Sequence, residues 1–362
     1  MDLEALGYPL SADRIATDPA EPRDAARLML VERSTGAVTH GRVRDLAGPD
    51  SPLRPGDLMV FNETRVVAAR FEGRRKATGG RVKGLYVRSD VECEGWEVML
   101  EARGALKPGE IIVLDDDLPA RLELVERLAS GRWRARRDGP LDTLALLERI
   151  GTTPLPPYIC DERRRQGRDP VEASDARSYN TVFAREHGSV AAPTASLHFT
   201  PALLEAIRDM GIRHARLSLH VGPGTFLPIR SARVEDHDMH EERIRVPLET
   251  IRALDDARRS GVRIVPVGTT CVRALESLPD PLPERDYEAA TGLFIRPGDD
   301  GSPFGFRFAD ALMTNFHLPH STLLALVAAL PGVGIDRLKR WYEIAIEHEY
   351  RFYSYGDAML IM

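Results

Sequence analysis

Short runs in which apolar and polar positions alternate fill the first half of the chain. They lie at Arg27–Glu32, Asp57–Phe61, Arg65–Phe71, Arg81–Val87, Trp96–Ala102, Ile111–Leu114, Leu122–Leu128 and Arg132–Arg136. Glycine turns such as Thr78-Gly79-Gly80 and Lys107-Pro108-Gly109 separate them. A period of two bounded by turn residues predicts strands. So many short ones, closely spaced, predict a small barrel or sandwich from Val66 to Gly139. Leu141–Arg149 then has helical spacing, and Thr153-Pro154-Leu155-Pro156-Pro157 reads as an exit linker.

From Pro201 onward the period changes. Pro201–Met210 predicts a helix opened by proline and closed at Gly211. Ile212–Val221 predicts a strand running into the loop Gly222-Pro223-Gly224. An amphipathic helix at Leu248–Arg259, a strand at Val262–Val267 and the turn Gly268-Thr269-Thr270 follow. Further helices are expected at Val272–Leu278, Ser321–Leu330 and Asp336–His348. Alternation of this kind argues for an α/β layer with working loops at its strand ends. The expected fold is a larger α/β layered domain, built from 1–65 and 140–362, carrying an inserted small β-barrel domain at 66–139.

Composition narrows the class. Of 362 residues 43% are hydrophobic and 29% charged, which suits a soluble globular protein. The longest apolar run, around Leu323–Leu330, is too short to span a bilayer. The first ten residues, MDLEALGYPL, lack the basic start and apolar middle of a signal peptide. Cys93, Cys160 and Cys271 make neither a disulfide framework nor a Cys-x-x-Cys pair. A cytoplasmic protein with no membrane partner is therefore expected, and a monomer. A net charge of −6 does not advertise nucleic acid, so an RNA site would have to be a local basic patch. Arg74-Arg75-Lys76 and Arg163-Arg164-Arg165 with Arg168 are the candidates, although such runs are usually solvated loops.

Candidate chemistry concentrates in histidine. Seven of the ten histidines fall between Leu197 and Thr322, in strings such as SLHFT (His198), LHVGPGTF (His220), EDHDMHEE (His237, His240) and TNFHLPHST (His317, His320), with His214 alone. Imidazole moves protons near neutral pH, and loops on a rigid scaffold hold working residues. Four such strings point to a site assembled from several loops. Singly, each imidazole also suits hydrogen bonding to loop carbonyls. His237-x-x-His240-Glu241 matches neither order of a zinc-protease motif, and no metal is expected. Gly222-Pro223-Gly224-Thr225 follows a strand but lacks the third glycine of a dinucleotide fingerprint, and reads equally as a tight turn. Gly268-Thr269-Thr270 precedes a helix whose N-terminus would attract a carboxylate, or the threonines simply cap it. Tyr350 to Asp357 packs three tyrosines, a phenylalanine, an arginine and a carboxylate, which suits a flat heterocycle as well as core packing.

Taken in order, these strings resemble one family, the S-adenosylmethionine:tRNA ribosyltransferase-isomerases of queuosine biosynthesis. The likeness runs nearly end to end. It takes in Tyr8-Pro9-Leu10, Pro55-Gly56-Asp57, Phe61-Asn62-Glu63-Thr64-Arg65, Ala192-Pro193-Thr194-Ala195 and Leu197-His198-Phe199-Thr200. Leu219-His220-Val221-Gly222, His237-Asp238-Met239-His240-Glu241, Val267-Gly268-Thr269-Thr270, Thr314-Asn315-Phe316-His317-Leu318-Pro319 and Tyr350 to Ile361 complete it. The resemblance implies a fold with an inserted barrel. It implies transfer and isomerisation of the ribosyl carbons of S-adenosylmethionine onto the aminomethyl group of a 7-deazaguanine at the tRNA wobble position, giving epoxyqueuosine, adenine and methionine. S-adenosylmethionine would be a consumed co-substrate, with no separate cofactor. Proton transfer and orientation are assigned on this basis to His198, His220, His237, His240, Glu241 and His317. Substrate binding falls to Thr194, Gly222, Gly224, Thr225, Gly268, Thr269, Thr270, Asn315, Arg351, Tyr355 and Asp357, and tRNA contact to the two arginine clusters.

Five positions in four stretches depart from the family pattern. Ser178-Tyr179-Asn180-Thr181 stands where Arg-Tyr-Gln-Thr is usual, Ser196 replaces a glycine, Lys83 a glutamate and Pro223 a leucine. They leave open a diverged relative acting on another acceptor, such as a free deazapurine. A metal-dependent hydrolase built on the same histidines and a non-catalytic RNA-binding module are the readings from other classes.

Overall fold

The computed structural model describes residues 1–362 apart from positions 91, 116, 129, 130, 227, 228, 230 and 299 and the side chains at 225 and 226. Strand β1 (Arg27–Val31) forms a hairpin with β2 (Val38–Arg42), and β3 (Leu58–Asn62), buried throughout, is followed at once by β4 (Thr64–Val66). Next come six antiparallel strands: β5 (Arg70–Arg75), β6 (Arg81–Asp90), β7 (Gly95–Ala102), β8 (Ile111–Asp115), β9 (Ala120–Arg127) and β10 (Trp133–Asp138). They close into a barrel in the order β10-β7-β6-β5-β8-β9. Alternation drives the closure, because one face of every strand (Phe71, Val82, Trp96, Ile112, Leu122, Trp133) is buried in a common interior. The ring of Phe71 lies where a side chain on Gly84 of the paired strand would stand. Lys83, on the outer face, sits in register opposite Glu72 and Glu101, so a cation there is matched by carboxylates on both neighbouring strands.

Helix α1 (Thr143–Ile150) leaves the barrel capped by Asp142, whose carboxylate accepts from the Ala145 N–H at 2.8 Å. It seals the barrel with Leu146 and Leu147. The proline-rich stretch continues directly into α2 (Pro157–Arg165), with proline in its first turn. Helix α3 (Asp175–Ser178) and β11 (Glu186–Ser189), which pairs with β4, bring the chain back beside its point of departure.

The remainder is the α/β layer. Its elements in chain order are α4 (Pro201–Asp209), β12 (Arg213–Leu219), β13 (Glu242–Val246), α5 (Leu248–Arg259), β14 (Ile264–Pro266), α6 (Thr269–Glu276), β15 (Tyr287–Thr291), β16 (Leu312–Asn315), α7 (Thr322–Ala328), α8 (Gly334–Glu347) and β17 (Ala358–Ile361). One sheet has the order β14-β3-β12-β13-β15, with β14, β3 and β12 parallel. A second has the order β16-β17-β1-β2, and a parallel bridge between Val267 and Met313 joins it to the first. Strands β16, β14, β3 and β12 thus end side by side, and open sheets of this kind bind ligands at the carboxyl ends of their parallel strands.

The chain's last strand is fastened to its first by Asp357. This buried carboxylate accepts from the N–H groups of Arg27 at 3.0 Å and Arg351 at 2.8 Å, and the Arg351 guanidinium lies 3.3 Å away. Asp357→Ala strips both N–H groups of their acceptor. We expect a loss of about 2–4 kcal/mol, since an orphaned buried donor costs about 1–3 kcal/mol. Denaturant unfolding checks this, and an unchanged midpoint would show that the strap is dispensable.

Candidate active site

Each strand in the parallel row delivers working residues just past its end. At the end of β3 the Asn62 side chain substitutes for the strand ladder. Its amide donates to the Leu219 carbonyl at 3.0 Å and accepts from the N–H groups of Leu219 at 3.2 Å and Thr64 at 3.0 Å. That fixes Thr64 against the residue following β12, where Thr64 Oγ1 lies 2.8 Å from His220 Nδ1. Gly188 backs the ring with φ of 148°, and a Cβ there would stand 3.1 Å from it. Burial holds the His220 pKa below the ordinary imidazole range, with the Arg243 charge adding to the effect and Glu186 opposing it.

Past β14 and β16 lies an inner pocket. Thr194, Gly268, Thr269, Thr270, Asn315 and His317 line it, together with the aromatic rings of Tyr158, Phe316 and Tyr353. Gly268, with φ of 97°, makes the turn that starts α6 at Thr269. Asn315 is oriented from behind, its Nδ2 donating to the carbonyls of Tyr353 at 3.2 Å and Asp357 at 3.4 Å. Its Oδ1 is buried without a hydrogen-bond partner among the described residues, as are Thr270 Oγ1 and Arg273 Nη2. All three residues line this one pocket. Buried polar atoms rarely stay unpaired, and three in one cavity mark a place built for a polar ligand. His317 Nε2 meets Thr314 Oγ1 at 2.8 Å, and burial pushes its pKa down to about 3.

A wider cleft adjoins the pocket. His220, Gly222, Gly224, His237, His240 and Glu241 line one side, and Tyr86, Arg88 and Met99 of the barrel line the other. The imidazole of His240 rests on Gly224, where a Cβ would come within 2.2 Å of the ring. Val221 and Glu242 are common to both cavities. Glu242 is buried between them, accepting from the Gly222 N–H at 3.0 Å and from the Arg273 guanidinium.

This geometry accompanies a whole-chain likeness to known proteins. Residues 3–361 match the family described as "Queuosine biosynthesis protein". The chain belongs to that family. It is 44% identical to the S-adenosylmethionine:tRNA ribosyltransferase-isomerase of Pelobacter propionicus, over the whole length of both chains. The enzyme of that name from Rubrobacter xylanophilus is also 44% identical, over all of this chain and 98% of its own. A crystal structure of S-adenosylmethionine tRNA ribosyltransferase from Thermotoga maritima superposes with a TM-score of 0.54 at 33% identity, covering 99% of this chain and all of that one.

Within this queuosine biosynthesis protein the sequence-predicted residues divide. Those in the two cavities converge as expected. His198 does not reach either cavity: it is buried behind Asn315, 3.3 Å from its Nδ2. Arg351, Tyr355 and Asp357 also lie off both linings, and Tyr355 is buried with its hydroxyl 3.5 Å from Asp175. Most of the aromatic C-terminal string is core packing around the Asp357 strap, while Tyr353 and Ser354 line the inner pocket. The Thr225 side chain lies outside the described residues. Arg163 corrects the expectation of an exposed cluster. It is 1% exposed, paired with Asp175 at 2.6 Å inside helix α2, and unavailable to tRNA. Arg164 and Arg165 are exposed but paired with Asp161 and Glu162. Arg74 and Lys76 are exposed at the end of β5, while Arg75 is held by Glu110 at 3.2 Å. Among the described residues no group of three or more His, Cys, Asp or Glu side chains could hold a metal. Asn180, at a departure from the family pattern, ties α3 to β4 by accepting from the Val66 N–H at 2.9 Å. Three residues escaped the sequence reading, namely Thr64, Glu242 and Arg273. Arg273 had one available signal, a cation one helical turn after Thr269.

The buried histidines make the fold sensitive to acid. Burial, reinforced by Arg351 and Arg23 against the pull of Asp357, lowers His198 from 6.5 to about 4. The unfolded chain takes up a proton below pH 6.5 that the folded chain refuses, so stability falls as pH drops from 6.5 towards 4. A shift of this size corresponds to about 3 kcal/mol, and His317 extends the window to about 3. Thermal midpoints measured from pH 7 to 4 should fall, and less steeply in His198→Gln. An equal slope in that variant would show that His198 is not a source of the loss.

Proposed function

We propose that this chain is an S-adenosylmethionine:tRNA ribosyltransferase-isomerase that holds its two substrates in the two adjoining cavities. S-adenosylmethionine occupies the inner pocket and is consumed as ribosyl donor. The cleft takes the 7-aminomethyl-7-deazaguanine at the wobble position of tRNA. Its aminomethyl nitrogen receives the ribosyl carbons, the sugar is rebuilt as an epoxycyclopentane, and adenine and methionine leave. One observation carries the reading of the site: the cavities meet at Val221 and Glu242, so a donor in one can present its ribose to an acceptor in the other. A tRNA substrate implies work in the cytoplasm. Arg74 and Lys76 on the barrel and Arg164 and Arg165 on α2 remain candidates for phosphate contacts.

The first chemical step needs a base, because the sulfonium acidifies the neighbouring ribose C–H bonds. We assign that step to His220. In the tautomer that this step requires, Nδ1–H donates to Thr64 Oγ1, 2.8 Å away, and the Thr64 hydroxyl faces the Glu186 carbonyl at 3.5 Å. This leaves the Nε2 lone pair directed into the cleft, and the lowered pKa keeps the ring neutral and able to accept a proton. His237, His240 and Glu241, on the same cleft, are placed to serve the amine and the later proton transfers. His317, neutral and fixed by Thr314, is suited to hydrogen bonding rather than to charge transfer.

Adenine release from S-adenosylmethionine tests the reading. Release is expected only with tRNA carrying the aminomethyl-deazaguanine; silence with that tRNA would overturn it. His220→Ala should slow release by about 10²–10⁴-fold, and Thr64→Val should lower kcat while leaving the KM for S-adenosylmethionine in place. In the parent enzyme kcat/KM should fall as pH drops through the His220 pKa, below the usual imidazole range. Near-parental release by His220→Ala would move the base elsewhere.

A further inference from the structure

We infer that Arg273 is the residue that selects the amino-acid end of the donor, by binding the carboxylate of its methionyl group. The inference rests on the inner pocket being the S-adenosylmethionine site. Arg273 stands in the second turn of α6 and is 6% exposed. Helical side chains lean towards the N-terminus, which carries its guanidinium back towards Thr269 and Thr270. Two of its three nitrogens are occupied: Nη1 pairs with Glu242, and Nε donates to the Leu293 carbonyl at 3.2 Å. Nη2 is buried with no acceptor among the described residues. A charged donor kept dry without a partner is strongly disfavoured, so the pocket is complete only when something supplies an anionic oxygen.

The surroundings specify which anion. Thr270 Oγ1, also buried and without an oxygen or nitrogen partner among the described residues, offers a second donor on the lining of the same pocket. The N–H groups of Thr269 and Thr270 open α6 and have no partners within the helix, and the start of a helix favours negative charge. Glu242 already neutralises much of the Arg273 charge, so a single carboxylate suits the remaining donors. Asn315 Oδ1 shows the opposite need, an acceptor waiting for an N–H. A ligand with a carboxylate and N–H donors, lying against aromatic rings, matches these requirements together. A tRNA phosphate would satisfy only the anionic part.

Decarboxylated S-adenosylmethionine isolates the carboxylate. With aminomethyl-deazaguanine tRNA as acceptor, the parent enzyme should prefer S-adenosylmethionine over the decarboxylated donor in kcat/KM by about 10–100-fold, the range of a hydrogen bond to a charged group. Arg273→Gln should raise the KM for S-adenosylmethionine by a similar factor, leave that for the decarboxylated donor nearly unchanged, and bring the preference close to one. Because that change also removes the cation paired with Glu242, the double variant Arg273→Gln/Glu242→Gln keeps the pair neutral and should lose the preference equally. Retained preference in both variants overturns the assignment. So does weakened tRNA binding with preference intact, which would make the anion a phosphate. If the parent enzyme releases no adenine from S-adenosylmethionine with that tRNA, the functional reading itself falls.

Discussion

The side chain of Asn62 holds together the point at which the two parts of this molecule separate. Strand β3 cannot both remain paired with β12 and turn aside into β4 and the barrel, because one of them must surrender its ladder bonds. Asn62 makes those bonds with an amide, reaching both the N–H and the carbonyl of Leu219 while fixing the N–H of Thr64. The consequence is chemical as well as architectural. Residue 64 is held beside residue 220, so the excursion of the chain into the barrel also places the partner that orients the cleft histidine. A hydrophobic side chain at position 62 could fill the space but would leave three backbone groups unsatisfied in a dry interior.

The same economy governs the wall between the cavities. Glu242 begins β13, receives the Gly222 N–H from the glycine loop and takes one edge of the Arg273 guanidinium from α6. Three separate elements are thereby locked to one carboxylate. A buried ion pair contributes little net stability by itself, so this one is better explained by what it positions. It leaves the other edge of the guanidinium facing the inner pocket. Preorganised polar groups aimed at a ligand lose no freedom when it arrives, and the orphaned atoms of Thr270, Asn315 and Arg273 are such groups.

Much of the architecture was legible because period and turn chemistry agree. The helix at Leu248–Arg259 has the bounds its spacing predicts, and five of the six barrel strands follow their alternation within a few residues, while the run Arg65–Phe71 is split between β4 and β5. Strands β2, β11 and β15 were not legible. VTHGR, EHGS and YEAAT carry too few apolar positions, and each strand lies at a sheet edge where only part of it is covered. In the site, the histidines and glycines of the strand-end loops stood out because their residue types are odd for their setting. Arg273 did not, since a cation on an amphipathic helix reads as a solvated face until the fold buries it. The opposite failure occurred at Tyr350 to Asp357, where aromatics, arginine and carboxylate suit a heterocycle site and a packed core equally. Only the direction of the Asp357 carboxylate, turned on Arg27 and Arg351 rather than on a cavity, separates the two.

The departures from the family pattern are explained by the same distinction between what faces a cavity and what faces the protein. Lys83 meets Glu72 and Glu101 across the barrel surface, so its reversed charge is matched locally. Asn180 spends its amide on the backbone of Val66 and on the carbonyl of Ala176, a task that its short side chain performs from close range. Ser196 is buried with its hydroxyl unpartnered, and nothing in the structure explains it. None of the three lines the inner pocket or the cleft. Of the five departures only Pro223 does, in the short helical turn that presents Gly224 to His240, and there a fixed φ stiffens the loop on which that imidazole rests. Substitutions that alter the scaffold while leaving the linings intact are what a shared reaction permits.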